Sequence, residues 1–150
     1  MERVLVLGCG GSGKSVFARR LGARTGLPVV ELDSVFWQPG PAGLARAEWV
    51  VRQRELVASP QWILDGDLGP YDVLEVRAAV ADTAVLLNLS PARCVWRAVR
   101  RGRERWDFWS WVLSYRWRHL PQVRRALAAS GVEMVELRSP RAVRRFLGER

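Results

Sequence analysis

Lysine is almost absent from this chain: Lys14 stands alone among 24 basic residues, and the others are all arginine. Cysteine is scarce as well. Cys9 and Cys94 share no metal-type spacing, and two thiols make no disulfide framework. Histidine occurs once, at His119, with no nearby partner in sequence, and is read as structural. No apolar run has the length of a membrane span. Met1-Glu2-Arg3 leads at once into a short apolar run broken by glycines, which is not the form of a signal peptide. There is no internal repeat and no low-complexity linker. These absences argue against a secreted disulfide scaffold and a membrane-spanning chain, and a reducing, cytoplasmic location is expected.

What is there is enough for one domain with a real core, so residues 1–150 are read as a single unit. The net charge is +9. Such a balance suits a polyanion, or an enzyme that clamps phosphates with arginines, and charge alone does not choose.

The lone lysine lies in the most specific motif. Residues 8–15 read Gly-Cys-Gly-Gly-Ser-Gly-Lys-Ser and fit G-x-x-x-x-G-K-[ST], the phosphate-binding loop. Val4-Leu5-Val6-Leu7 leads in as a strand, and a helix-compatible run from Val16 leads out. Gly8, Gly10, Gly11 and Gly13 let the backbone N–H groups approach an anion. The loop together with Ser12, Ser15 and Val16 is the expected nucleotide site, with Lys14 reaching the terminal phosphates and Ser15 holding Mg²⁺. The same glycines satisfy G-x-G-x-x-G, with Asp33 20 residues beyond Gly13, so a dinucleotide-binding reading stays open at this point.

Along the chain, strand and helix patterns alternate, which predicts an α/β fold with a parallel sheet. Strands are expected at residues 3–7, 28–32, 61–64, 83–89 and 132–137. Helices are expected at 14–25, 46–58, 73–79, 90–102, 107–129 with a break at Pro121, and 140–147, with a loop at 38–43. That is five parallel strands with helices on both faces. Ligands of such sheets bind at the carboxyl ends of the strands, where Gly8, Asp33, Asp65, Ser90 and Ser139 fall.

Asp65 follows the apolar Trp62-Ile63-Leu64 and is the candidate carboxylate for Mg²⁺, beside Ser15. Asp33 is the candidate general base for an acceptor hydroxyl. Phe36 and Trp37 are either an aromatic wall for the acceptor or core. Arg77 is a candidate partner for an acceptor phosphate or carboxylate. Ser139 lies in a loop suited to the nucleotide base. Between Arg93 and Arg125 the chain holds ten arginines and only two acids, Glu104 and Asp107. Arg93, Arg97, Arg101 and Arg105 fall at i, i+4 steps. Arg97 and Arg101 are the favoured pair to close on the transferring phosphoryl group, with Arg116 and Arg118 closing from the other arm of a lid over residues 102–121. Trp106, Trp109, Trp111 and Trp117 interleave with this charge, a composition shared by such lids and by single-strand nucleic-acid platforms.

The chain resembles the small adenylate-kinase-like P-loop proteins, near those named DNA topology modulation protein of the FlaR type. The resemblance rests on residues 8–15, on Leu32-Asp33 with Phe36-Trp37, and on Trp62-Ile63-Leu64-Asp65-Gly66. It continues through Arg77, Ala81-Asp82, Leu89 to Pro91, the Arg97 and Arg101 helix, and Leu137-Arg138-Ser139. It implies a three-layer fold of nucleoside-monophosphate-kinase type that uses ATP and Mg²⁺. Asp67-Leu68 stands where the family often has Asn-Tyr, and Asn88 where Asp is common. The expected activity is ATP-dependent phosphoryl transfer to a small-molecule acceptor. The alternative is a nucleotide-binding regulator that contacts DNA or RNA through its Arg/Trp-rich segment. No membrane partner is expected.

Overall fold

The computed structural model describes residues 1–37, 43–102 and 106–149, with the main chain alone at Arg101 and at 106–108. Five parallel strands form one sheet: β1 (Arg3–Gly8), β2 (Val29–Glu31), β3 (Trp62–Asp65), β4 (Thr83–Leu87) and β5 (Glu133–Leu137). Their order is β2-β3-β1-β4-β5. A dinucleotide fold sets its first two strands side by side. Here β3 separates them, and the dinucleotide reading falls.

Alternation along β1 divides the core in two. Leu5 and Leu7 face one side, where Trp49 of α3 (Arg46–Val57), Leu74 of α4 (Leu74–Ala78) and Leu127 of α7 (Leu120–Ser130) cover them. Val4 and Val6 face the other, under Phe17 and Leu21 of α1 (Lys14–Thr25) and Leu147, just after α8 (Pro140–Phe146). A strand buried on both faces is a continuous apolar run, as residues 4–7 of β1 and 84–87 of β4 are. The register pairs Val6 with Asp65 and Gly8 with Leu87. This brings the phosphate loop and the end of β3 to the same edge.

Three elements depart from the sequence expectations. The second strand stops at Glu31, and a short helix, α2 (Leu32–Phe36), begins there. Leu32 and Phe36, one helical turn apart, are both buried, and the Ser34 hydroxyl bonds the Glu31 carbonyl at 2.7 Å. The fourth strand ends at Leu87 rather than Leu89. After α5 (Pro91–Arg101), α6 (Trp106–Ser114) runs into a π-helical turn at Tyr115–His119 and then α7. The helix does not break at Pro121. The Leu120 N–H reaches back to the Tyr115 carbonyl, and this wider turn accommodates a ring that would clash in tighter winding. The expected loop at 38–43 lies outside the described residues except Gly43, which bridges to Trp37. Residues 103–105 of the expected lid also lie outside them.

The chain after β3 is held by a buried ion pair. Arg77 is 0% exposed. Its guanidinium donates to both Asp72 carboxylate oxygens at 2.7 and 2.6 Å, to Gln53 Oε1 at 2.9 Å and to the Gly66 carbonyl at 3.1 Å. Asp72 also accepts from the Leu68 and Val73 N–H groups. Burial opposes the Asp72 charge, yet the Arg77 charge and these bonds hold its carboxyl below the usual range. The pair's stabilisation is therefore present above the ordinary Asp range and is lost as pH falls through the lowered native value. Arg77→Leu leaves a buried carboxylate unpaired and should cost about 3–5 kcal/mol in urea denaturation. Adding Asp72→Leu should recover much of that loss.

Candidate active site

The phosphate loop turns where side chains cannot follow. Gly11 has φ +77°, and a Cβ there would lie 2.3 Å from the Cys94 carbonyl oxygen of α5. Gly13, at φ +89°, leads into α1, whose amino end carries no side-chain cap and no acid in its first turn. Its N–H groups and positive dipole end are free to meet an anion. Gly10, Gly11, Ser12, Gly13, Lys14, Ser15 and Val16 all line one cleft of about 1190 Å³, and Gly8 ends the strand beneath it. The Lys14 ammonium donates to the Cys9 carbonyl at 3.0 Å and sits 6.0 Å from the Trp111 ring centroid. Cys9 and Cys94 are neighbours under the loop, and the Cys94 thiol and burial push the Cys9 thiol well up.

Asp65 ends β3 and is 3% exposed. Burial raises its carboxyl, against the pull of the adjacent Ser15 hydroxyl and the Lys14 charge. Its Oδ1 has no hydrogen-bond partner among the described residues. An orphaned carboxylate oxygen beside a hydroxyl at the phosphate loop fits a hard cation such as Mg²⁺. Among the described residues, no three acidic, histidine or cysteine side chains converge to chelate a metal by themselves. Such an ion would therefore take its remaining ligands from phosphates and water.

Asp33 stands in the first turn of α2 and opens onto the cleft. Enclosure raises its carboxyl above the ordinary range, against Lys14 and the Trp37 indole. Phe36 packs in the core, whereas Trp37 lines the cleft. Arg97 lines the cleft over Gly13, where a Cβ would lie 2.9 Å from its Nη1. Arg101 ends α5, but its side chain lies outside the described residues, as does Arg105. The Ser139 hydroxyl caps α8, accepting from the Ala142 N–H at 3.1 Å. The cleft instead meets that helix at Pro140, Val143 and Arg144.

Two expectations are corrected. Arg77 does not face an acceptor; it is sealed behind the cleft wall by Asp72. Arg116 donates to Asn88 at 3.2 Å, and neither it nor Arg118 lines the cleft. Asp67, missed as a site residue, does line the cleft. It accepts from the Tyr115 hydroxyl at 2.7 Å and the Gly69 N–H at 3.1 Å, while burial and Asp72 raise its carboxyl. The only sequence signal for it was the unusual Asp67-Leu68 pair. His119 is half-buried with its ring against Tyr115.

No protein-family model and no curated protein matches the chain. Solved structures do. Shikimate kinase from Acinetobacter baumannii in complex with shikimate matches at a TM-score of 0.67 and 16% identity, covering 99% of this chain and 89% of that one. A gluconokinase from Sinorhizobium meliloti 1021 matches at 0.59 and 20%, covering 98% and 91%. Deoxyadenosine kinase from M. mycoides with bound dCTP matches at 0.54 and 11%, covering 97% and 96%. At these identities the likeness is one of fold: the chain has the α/β fold of the P-loop kinases.

Proposed function

We propose that the protein is an ATP-dependent phosphotransferase that acts on a small-molecule acceptor. One observation carries the reading: a glycine-turned phosphate loop, with its lysine and the uncapped end of α1, shares a cleft with two carboxylates, Asp33 of α2 and Asp65 at the end of β3. The resemblance to adenylate-kinase-like proteins, including the FlaR type, supports the same class.

In this reading, Gly8, Gly10, Gly11, Ser12, Gly13, Lys14, Ser15 and Val16 take the ATP phosphates, with Lys14 exchanging the Cys9 carbonyl for a phosphate oxygen. Ser15 and Asp65 would hold Mg²⁺, which supplies charge neutralisation to the phosphates when bound. Asp33 accepts the proton of the acceptor hydroxyl. That oxygen bonds to the γ-phosphorus as the bond to the departing ADP oxygen breaks. Arg97, with Arg101 on the same helix, stabilises charge on the equatorial oxygens. Side-chain identity at Ser139 matters only through the capping of α8 beside the base.

Lys14→Ala should lower turnover about 100-fold or more and weaken binding of a fluorescent ATP analogue. Unchanged binding and hydrolysis would overturn the reading. Because the base form of Asp33 is the active one and burial raises its carboxyl, kcat/KM should fall as pH drops, at a point above the ordinary carboxylate range. Asp33→Asn should remove that acid limb along with most of the activity.

A second reading rests on Trp117, 84% exposed between Arg116 and Arg118, on a chain of charge +9. That surface suits a nucleic-acid strand. Filter retention of single-stranded DNA at low salt that falls steeply with added salt would support it; no retention at low salt would remove it.

A further inference from the structure

Carboxylates gather in the cleft of a basic chain. Asp33 and Asp67 line it, and so does Asp65, the residue proposed to hold Mg²⁺. The cations that line the same cleft are committed elsewhere. Lys14 and Arg97 belong to the phosphate loop and the helix above it. Arg100 lies over the Trp96 ring on α5, which follows β4, and Arg144 is on α8, which follows β5 at the sheet edge opposite β2. Arg19 is paired with Glu31 and Arg20 with Glu149. The arginine nearest the acceptor wall in sequence, Arg77, is fully buried and doubly bonded to Asp72. Residues 38–42, which follow Trp37, carry no charged side chain at all. An acidic group placed beside Asp33 would therefore meet carboxylates and no uncommitted cation among the described residues.

The same wall offers aromatic surface. Trp37 and Tyr71 are 40% and 55% exposed, line the cleft, and meet edge to face with ring centroids 5.8 Å apart. Phe36 packs behind both and holds them in place. Aromatic faces beside carboxylates bind flat C–H surfaces and ammonium groups, and reject anions.

Building on the phosphotransferase reading, we infer that the acceptor is a polyhydroxylated ring bearing no acidic group, uncharged or carrying an amine, that lies on Trp37 and Tyr71 with a hydroxyl toward Asp33. Carboxylate-bearing sugars and cyclic acids, and nucleoside monophosphates, are excluded by charge. In the transfer, the oxygen of that hydroxyl bonds to the γ-phosphorus, the bond to the ADP oxygen breaks, and the hydroxyl proton passes to Asp33.

The test gives the full-length chain MgATP and matched acceptor pairs: hexoses and amino-hexoses against hexuronic acids, nucleosides against their 5′-monophosphates, and cyclic polyols against cyclic hydroxy acids. Phosphorylated products are read by mass spectrometry. An acid-free member should be phosphorylated with a kcat/KM about 100-fold or more above its acidic counterpart. Tyr71→Ala should raise the KM for that acceptor about tenfold while leaving ATP affinity unchanged, and Tyr71→Phe should restore it. Equal or better use of an acidic member overturns the inference, as does silence across every acid-free series. If ATP binding persists and depends on Lys14, either outcome leaves the phosphotransferase reading standing. Failure of the unaltered chain to bind ATP would remove both.

Discussion

The buried pair of Arg77 and Asp72 is the interaction on which the cleft wall after β3 depends. A guanidinium with no exposure to water needs an opposite charge and hydrogen-bond acceptors beside it, or its burial is too costly. Asp72 supplies the charge, and Gln53 and the Gly66 carbonyl accept from the terminal nitrogens, while Nε has no partner among the described residues. These partners lie on α3 and on the segment between β3 and α4. Satisfying one cation thereby ties that segment to the helical layer behind it. Asp65 and Asp67 flank Gly66, so the carboxylates of the cleft inherit their positions from the same bond.

Charge is segregated as a result. The chain is strongly basic, and three arginines on helices after β4, Arg97, Arg100 and Arg144, line the cleft. The acids of the cleft follow β2 and β3: Asp33 in α2, Asp65 at the end of β3 and Asp67 just after it. A parallel sheet makes this possible, because every strand delivers its carboxyl end to one edge while neighbours in space remain far apart in sequence. The central position of β1 puts the phosphate loop between the two populations. The Lys14 ammonium stands at the border, lowering the carboxyls of Asp33 and Asp65 that burial raises.

Much of this was legible in the residues. The apolar strands, the loop motif and the stop signals at Gly26 and Gly102 are local, and local chemistry specifies them. Asp65 falls at the strand end expected of it, whereas Asp33 lies in the first turn of α2, two residues past the end of β2. What escaped was long-range. Arg77 looked available because nothing in its own segment shows that Gln53, Gly66 and Asp72 converge on it. Asp67 and Tyr115 are 48 positions apart, and only the folded chain brings the segment after β3 and the π-helical turn to one hydrogen bond. The start of α2 was hidden in an apolar run that reads equally well as strand. At Pro121 the rule against proline in helices was applied without allowing for a wider turn ahead of it.

The contact between Gly11 and the Cys94 carbonyl has a mechanical consequence. The phosphate loop and α5 touch backbone to backbone, with no side chain between them to flex or compress. Arg97 rides on that helix one turn beyond Cys94. The spacing between the cradle and the Arg97 backbone is thus a property of the main chain, and the Arg97 side chain starts from a fixed point. Loop and helix behave as the two jaws of a fixed gauge, set before any nucleotide arrives. Its setting survives changes in the surrounding side chains, and is lost to the smallest side chain added at position 11.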